Sequence, residues 1–163
     1  MRALVQRVHW AEVEVEARIV GRIEHGLLVY LGVAVSDTVA DARRLAEKVA
    51  NVRIFEDDRN KLNLSCQDAR GGVLAVSNFT LLADTRKGRR PAFVAAAPPE
   101  EAERLYEAFV EGLEECGCQV ECGVFRAMMV VRSAAAGPVN VLIDVPPGQN
   151  ESARGPSAAL TGE

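Results

Sequence analysis

Residues 26–33, Gly26-Leu27-Leu28-Val29-Tyr30-Leu31-Gly32-Val33, form a continuous apolar run, and a strand built from it has no face to give to water. The segment therefore reads as a strand buried on both sides, and the fold must supply packing above and below it. Upstream, residues 3–8 and 13–16 alternate apolar side chains at a strand's period. Downstream, Val39, Ala42, Leu45, Ala46 and Val49 recur at helical spacing behind Asp37, a good N-cap residue. The opposite face of that helix, with Asp41, Arg43, Arg44, Glu47 and Lys48, reads as solvated.

Arg53-Ile54-Phe55 leads into the polar stretch 56–61, whose composition predicts a hairpin. Gly71-Gly72 release a strand from Val73 that runs through Ser77 and ends near Asp84, followed by the loop 85–91. Pro98-Pro99-Glu100-Glu101 opens a second helix, with proline in the first turn and acids at the positive end of the dipole. Its buried stripe is Ala102, Leu105, Tyr106, Phe109, Val110 and Leu113, and Gly117 is placed to cap its end. Strands over 119–124, 128–133 and 139–145 close the domain. This order predicts an α/β fold of mixed sheets with two helices packed on them, a single domain over 1–145. The small, polar, aperiodic residues 146–163 read as a disordered tail.

At 163 residues one core suffices. A net charge of -4 argues against a general basic coating, so any contact with RNA must come from a local patch. No stretch approaches the ~18 apolar residues of a membrane span, and charge interrupts the N-terminus too early for a signal peptide, which predicts a cytoplasmic protein. Cys116, Cys118 and Cys122 follow a C-x-C-x-x-x-C spacing that is not a zinc knuckle, and His9 and His25 do not complement it, so with Cys66 they read as free thiols and no metal is expected. Neither a G-x-G-x-x-G nor a P-loop occurs, which removes the common nucleotide cofactors; none is expected.

Two segments stand out as site candidates: Ser77-Asn78-Phe79-Thr80-Leu81 and Gly137-Pro138-Val139-Asn140. Hydroxyls within an apolar run need partners. Ser77 and Thr80 either satisfy local backbone groups or line a site, but no motif brings a base to them, and a G-x-S-x-G elbow is absent. Asp84 reads as a turn former, with general acid or base the alternative for its carboxylate. Arg86, Lys87, Arg89 and Arg90, with Gly88 between them, contradict the acidic average; phosphate binding and a solvated loop both fit. The Gly137-Pro138 step is either a plain turn or a cis peptide with a purpose. Met128 and Met129 read as strand packing.

Over residues 1–145 these motifs resemble the D-aminoacyl-tRNA deacylase family. Ser77-Asn78-Phe79-Thr80-Leu81 is similar to that family's Ser-Gln-x-Thr-Leu, followed by Asp84 and by Gly88, Arg90, Pro91 and Phe93 in a Gly-x-Arg-Pro-x-Phe pattern. Gln6-Arg7-Val8, the hairpin with Lys61 and Asn63, and Gly123, Phe125, Ala127 and Met129 also fit, and Ala135-Ala136-Gly137-Pro138-Val139-Asn140 meets part of Asn-x-Gly-Pro-Val-Thr. The resemblance implies a homodimer that hydrolyses D-aminoacyl or glycyl esters on the 3′ end of tRNA. It also implies a cis Gly137-Pro138 step entering the partner's pocket to exclude L substrates. Phe79, Thr80 and Ser77 would serve the reaction, with backbone N–H groups near Phe79 and Thr80 facing the oxyanion. Gly137, Pro138, Asn78, Arg7 and Met129 would contact or support substrate, and Arg86, Lys87, Arg89 and Arg90 would meet tRNA phosphates.

Three positions depart from the pattern. Asn78 is one methylene shorter than glutamine, Ala135 lacks the asparagine amide, and Asn140 replaces threonine, which puts the bracing of the Gly-Pro step in question. Two other readings follow from the sequence: a tRNA-binding or dimeric module on the same fold with weakened catalysis, and a serine-type esterase using Ser77 or Thr80.

Overall fold

The computed structural model describes residues 1–86 and 88–148. It contains eight strands and two α-helices: β1 (Arg2–Val15), β2 (Arg18–Ile23), β3 (Gly26–Gly32), α1 (Val39–Asn51), β4 (Phe55–Glu56), β5 (Leu62–Leu64), β6 (Gly72–Ser77), α2 (Pro99–Glu115), β7 (Gln119–Cys122) and β8 (Val130–Asp144), with a 3-10 turn at Phe79–Leu82. β4 and β5 form a separate hairpin. The other six strands make one mixed sheet in the order β2-β1-β3-β6-β7, with β8 on the far edge of β1. β1 is antiparallel to β2, β3 and β8, whereas β3, β6 and β7 run parallel.

β3 is buried on both faces, as its composition requires. Leu27, Val29 and Leu31 face a core shared with both helices, while Leu28 faces a second core with Leu74 and Val76 of β6. The material over that second face is the same sheet. Val8, Ala11 and Val13 of β1 and Ile23 of β2 curl back over Leu28 and Leu74, so the expected stack of mixed sheets is one sheet bent nearly into a barrel. Where its ends meet there is no room for a side chain: a Cβ at Gly21 of β2 would lie 2.5 Å from the Cys122 carbonyl oxygen of β7.

Several elements differ from the sequence reading for identifiable reasons. Residues 3–8 and 13–15 belong to the single strand β1, which continues through the polar residues between them because β8 pairs along it, and Glu16 begins the following turn. β2 was hidden because the turn before it is Glu16-Ala17, both at positive φ (48° and 60°), without the Asn or Gly that marks such turns. The last two expected strands are one strand, β8, which pairs with β1 on both sides of an unpaired excursion at 136–139. The strand from Val73 stops at Ser77, because Asn78 caps the 3-10 turn instead of continuing the ladder.

Asp37 does not cap α1. It accepts hydrogen bonds from the Met1 α-ammonium (2.6 Å) and the Ala34 amide (2.6 Å), and Thr38 forms the capping box with Asp41. α2 ends as its glycine predicts: Gly117 (φ 87°) donates to the Glu114 carbonyl and Cys118 to that of Leu113, a Schellman closure. Pro146 and Gly148 do not trail away, since the Pro146 carbonyl accepts from Arg44 and the Gly148 amide donates to Asp41. The remainder of the expected tail, 149–163, lies outside the described residues. Among the described residues no helix is long and apolar enough to cross a membrane.

Burial pushes the Asp41 carboxyl up, but hydrogen bonds from Thr38 and Gly148 and the charge of Arg44 more than offset this, so its pKa lies below the ordinary value. A carboxylate whose folded pKa is depressed stabilises the fold above its unfolded pKa of about 3.9 and loses that contribution as pH falls through the folded value. Urea midpoints should therefore drop between about pH 4 and pH 2 more steeply in the parent chain than in Asp41→Asn, and parallel profiles would disprove the assignment.

Candidate active site

β3 and β6 are parallel neighbours with Leu31 beside Ser77, and their carboxyl ends open into a cavity of about 560 Å³. Openings at the carboxyl ends of parallel strands are where α/β sheets bind ligands. Ser77, Asn78, Phe79, Phe93, Tyr106 of α2, Phe125, Arg126 and Met129 are among the residues that line it. The Tyr106 hydroxyl donates to the Ala75 carbonyl (2.9 Å), which fixes the ring, and burial and Cys122 push its pKa up. Phe79 is 57% exposed and packs edge-on against Phe93 with ring centres 5.0 Å apart.

No acid, lysine or histidine lines this cavity among the described residues. His25 Nε2 lies 2.7 Å from the Ala69 carbonyl oxygen, and His9 is exposed on β1. Among the described residues neither ring hydrogen-bonds Ser77 or Thr80, so no imidazole base is paired with either hydroxyl. Wider depressions lie along the helices and beside the N-terminus, but their ions pair with each other: Arg43 with Glu115, Arg44 with Asp41, Arg2 with Asp144 and Arg86 with Asp84.

The structure distributes the expected site residues unevenly. Ser77, Asn78, Phe79 and Met129 border the cavity; Thr80 sits one turn out, exposed. The Asn78 side chain folds back on its own turn, its Oδ1 accepting from the Thr80 amide (3.1 Å) and the Thr80 hydroxyl. The shorter amide is thus rerouted into a local cap. It also changes the expected donor pair: the Thr80 N–H is already engaged, whereas the Phe79 N–H has no acceptor among the described residues.

Gly137 and Pro138 are absent from the lining of their own cavity. Opposite Arg7, β8 leaves β1, its partner passing from Asn140 to Ala135 while β1 advances from Gln6 to Val8. The intervening excursion carries the Gly137-Pro138 peptide in the cis form, with both residues exposed. Gly137 is at φ 119°, and a Cβ there would meet the Val139 amide nitrogen at 2.9 Å and Arg7 at 3.1 Å. Arg7 supports the excursion from below: Nε donates to the Ala136 carbonyl (3.2 Å) and Nη1 to that of Ile54 (2.8 Å).

In the basic loop, Asp84 is the expected turn former, exchanging two backbone hydrogen bonds with Ala92. Its carboxylate also takes both arms of Arg86 (2.9 and 2.7 Å), and this hydrogen bonding holds its pKa below the usual range. Arg86 is therefore paired, Arg89 and Arg90 are exposed, and Lys87 lies outside the described residues. Cys66 and Cys118 are buried and Cys116 and Cys122 half-buried, and burial pushes the Cys66 thiol up to about 12. Among the described residues no group of three or more candidate ligands could hold a metal.

A nearly closed mixed sheet with two helices packed on it and a largely apolar cavity at the carboxyl ends of its parallel strands defines an α/β protein with a ligand-sized recess. The sequence model of the D-Tyr-tRNA(Tyr) deacylase family matches residues 4–144. Proteins named D-aminoacyl-tRNA deacylase from Caldicellulosiruptor bescii and Koribacter versatilis are each 56% identical to it over 144 residues, 88% of this chain and 97% of theirs. A solved structure described as c-Myc DNA Unwinding Element Binding Protein superposes with a TM-score of 0.84 at 35% identity, covering 90% of this chain and 99% of the other. One described as a probable eukaryotic D-amino acid tRNA deacylase shares the fold, with a TM-score of 0.78 at 19% identity over 88% and 98%. The chain belongs to the D-Tyr-tRNA(Tyr) deacylase family.

Because Asn78 caps the 3-10 turn, Asn78→Ala should destabilise the protein by about 1 kcal/mol and speed amide exchange at Thr80. Urea denaturation and hydrogen exchange measure both; an unchanged Thr80 exchange rate would contradict the capping role.

Proposed function

We propose that this chain hydrolyses the ester joining a D-amino acid, or mischarged glycine, to the 3′ end of tRNA, in the cytoplasm, as a homodimer. Family membership supports the activity. The observation that carries the mechanism is the pairing of an unengaged Phe79 N–H at the cavity with an absence of any acid-base side chain lining it. An aminoacyl ester is already reactive, so the enzyme needs to hold it, admit water and stabilise the oxyanion. One aimed amide donor is worth several kcal/mol in such a site, on the order of 3. Phe79 supplies that donor, Ser77 and Thr80 position the reacting groups, and Asn78 fixes the turn that aims the amide.

Chirality is read across the two-fold axis. Gly137 and Pro138 are exposed, outside their own cavity, and held by Arg7, a geometry suited to insertion into the cavity of a second copy. Among the described residues β8 pairs only with β1, and Val130 and Leu142 on it are exposed at 49% and 54%, so this strand suits burial in a dimer. The main-chain oxygens of the inserted step leave room for hydrogen but not for an L side chain, and Met129 walls the pocket. Arg89 and Arg90, with Lys87, meet tRNA phosphates; Arg86 does so only by sharing Asp84.

Purified protein should sediment as a dimer and remove D-tyrosine from D-tyrosyl-tRNA while sparing L-tyrosyl-tRNA. Pro138→Ala should erode the D/L ratio at least tenfold with little change in melting temperature. A monomer, or an unchanged half-life of D-tyrosyl-tRNA at stoichiometric enzyme, would overturn the proposal.

A further inference from the structure

We propose that Arg126 is a phosphate-binding residue on the rim of the cavity, pairing with the phosphodiester that joins the 3′-terminal nucleotide to the rest of the tRNA. This rests on the deacylase reading above.

Arg126 is the one charged side chain among the described residues that line the cavity. It is exposed and forms no ion pair or side-chain hydrogen bond with any described residue; Arg18, Arg59, Arg70, Arg89 and Arg90 share that state, but none of them lines the cavity. No carboxylate lines the cavity to neutralise it. Its backbone lies at φ 62°, in the left-handed region where glycine is at ease and an arginine is not. Glu16, Ala17, Asn60 and Arg70 share that conformation, but none of them borders the cavity.

The substrate's chemistry decides what this cation meets. An aminoacyl ester on a terminal nucleotide has a cationic α-amino group, a neutral ester and an anionic phosphodiester. A guanidinium repels the first and forms paired hydrogen bonds with the last. Arg126 thereby orients the nucleotide with its 5′ side at the rim and its acylated 3′ side toward Phe79. The basic loop cannot substitute at this point, because Arg86, Arg89 and Arg90 do not line the cavity.

The test compares 2′(3′)-O-D-tyrosyl-adenosine with the same compound bearing a 5′-phosphate, alongside calorimetric binding of adenosine and adenosine 5′-monophosphate. The parent chain should favour the phosphorylated ester by about tenfold in kcat/KM, mainly through KM, the size of one charge-assisted contact. Arg126→Gln should bring the ratio within about twofold, with Arg126→Lys between. Arg126→Gly, which suits the backbone, should lose the preference without losing melting temperature, so misfolding cannot explain the loss. Equal use of both esters by the parent chain, or a ratio retained in Arg126→Gln, would overturn the proposal while leaving the deacylase reading intact. If neither ester is cleaved but adenosine 5′-monophosphate outbinds adenosine only when Arg126 is present, the phosphate site stands and the deacylase reading falls.

Discussion

Burial of β3 on both faces is the constraint from which the architecture follows. Leu27, Val29 and Leu31 need one apolar partner layer and Leu28 needs another, each buried leucine contributing about 2 kcal/mol. The two helices supply the first layer. No third helix exists among the described residues to supply the second, so the sheet bends until β1 and β2 cover it. A strand clamped in this way, with β6 parallel beside it, ends in a recess between layers rather than at a surface. The cavity is that recess, and Ser77 reaches it because it is paired beside Leu31.

The parts legible in the sequence were those fixed by local pattern. The run at 26–33, the two amphipathic stripes, the proline start of α2 and its glycine end all follow from periodicity and backbone preference within one element. What escaped was set by partners distant in sequence. β2 follows a turn with no turn residues, and its pairing with β1 supplies what its composition lacks. Asp37 has the chemistry of a cap, but the Met1 ammonium claims it and leaves the task to Thr38. Residues 130–144 read as two strands because a Gly-Pro step lies between them, yet pairing with β1 resumes on its far side.

For the site, residue types picked out side chains that the fold gathers at one cavity, but not which of their atoms are available. Ser77, Asn78, Phe79 and Met129 do meet at one cavity. That Thr80 surrenders its amide to Asn78 depends on a side chain one methylene shorter than glutamine folding onto its own turn, which residue type alone does not specify. Arg126 went unremarked because a lone arginine between Phe125 and Ala127 carries no sequence signal. Its left-handed backbone and its place on the rim are both three-dimensional facts. A similar correction applies to the basic loop, where four adjacent cations looked alike until Asp84 was found holding Arg86.

The substitutions at 135 and 140 seemed to weaken the mounting of the Gly-Pro step, but β1 carries the compensation in two consecutive residues. Neighbours in a strand point to opposite faces, so Gln6 and Arg7 reach the excursion from opposite sides of the sheet. Arg7 ties Ala136 to the β4–β5 hairpin through the Ile54 carbonyl and lies 3.6 Å from Glu56. Gln6 donates to the Asn140 side chain (2.9 Å) and accepts from the Ser133 hydroxyl (3.3 Å), spanning the two ends of the departure. Asn140 thus offers its side-chain carbonyl as an acceptor to Gln6, which restrains the far end of the loop. Ala135 is left with nothing to contribute but its pairing with Val8, and that pairing is where the ladder resumes. The two ends of the Gly-Pro step are therefore held from β1 by Gln6 and Arg7, while within the loop Gly137 is required by its positive φ and by the Val139 amide and Arg7 packed against it.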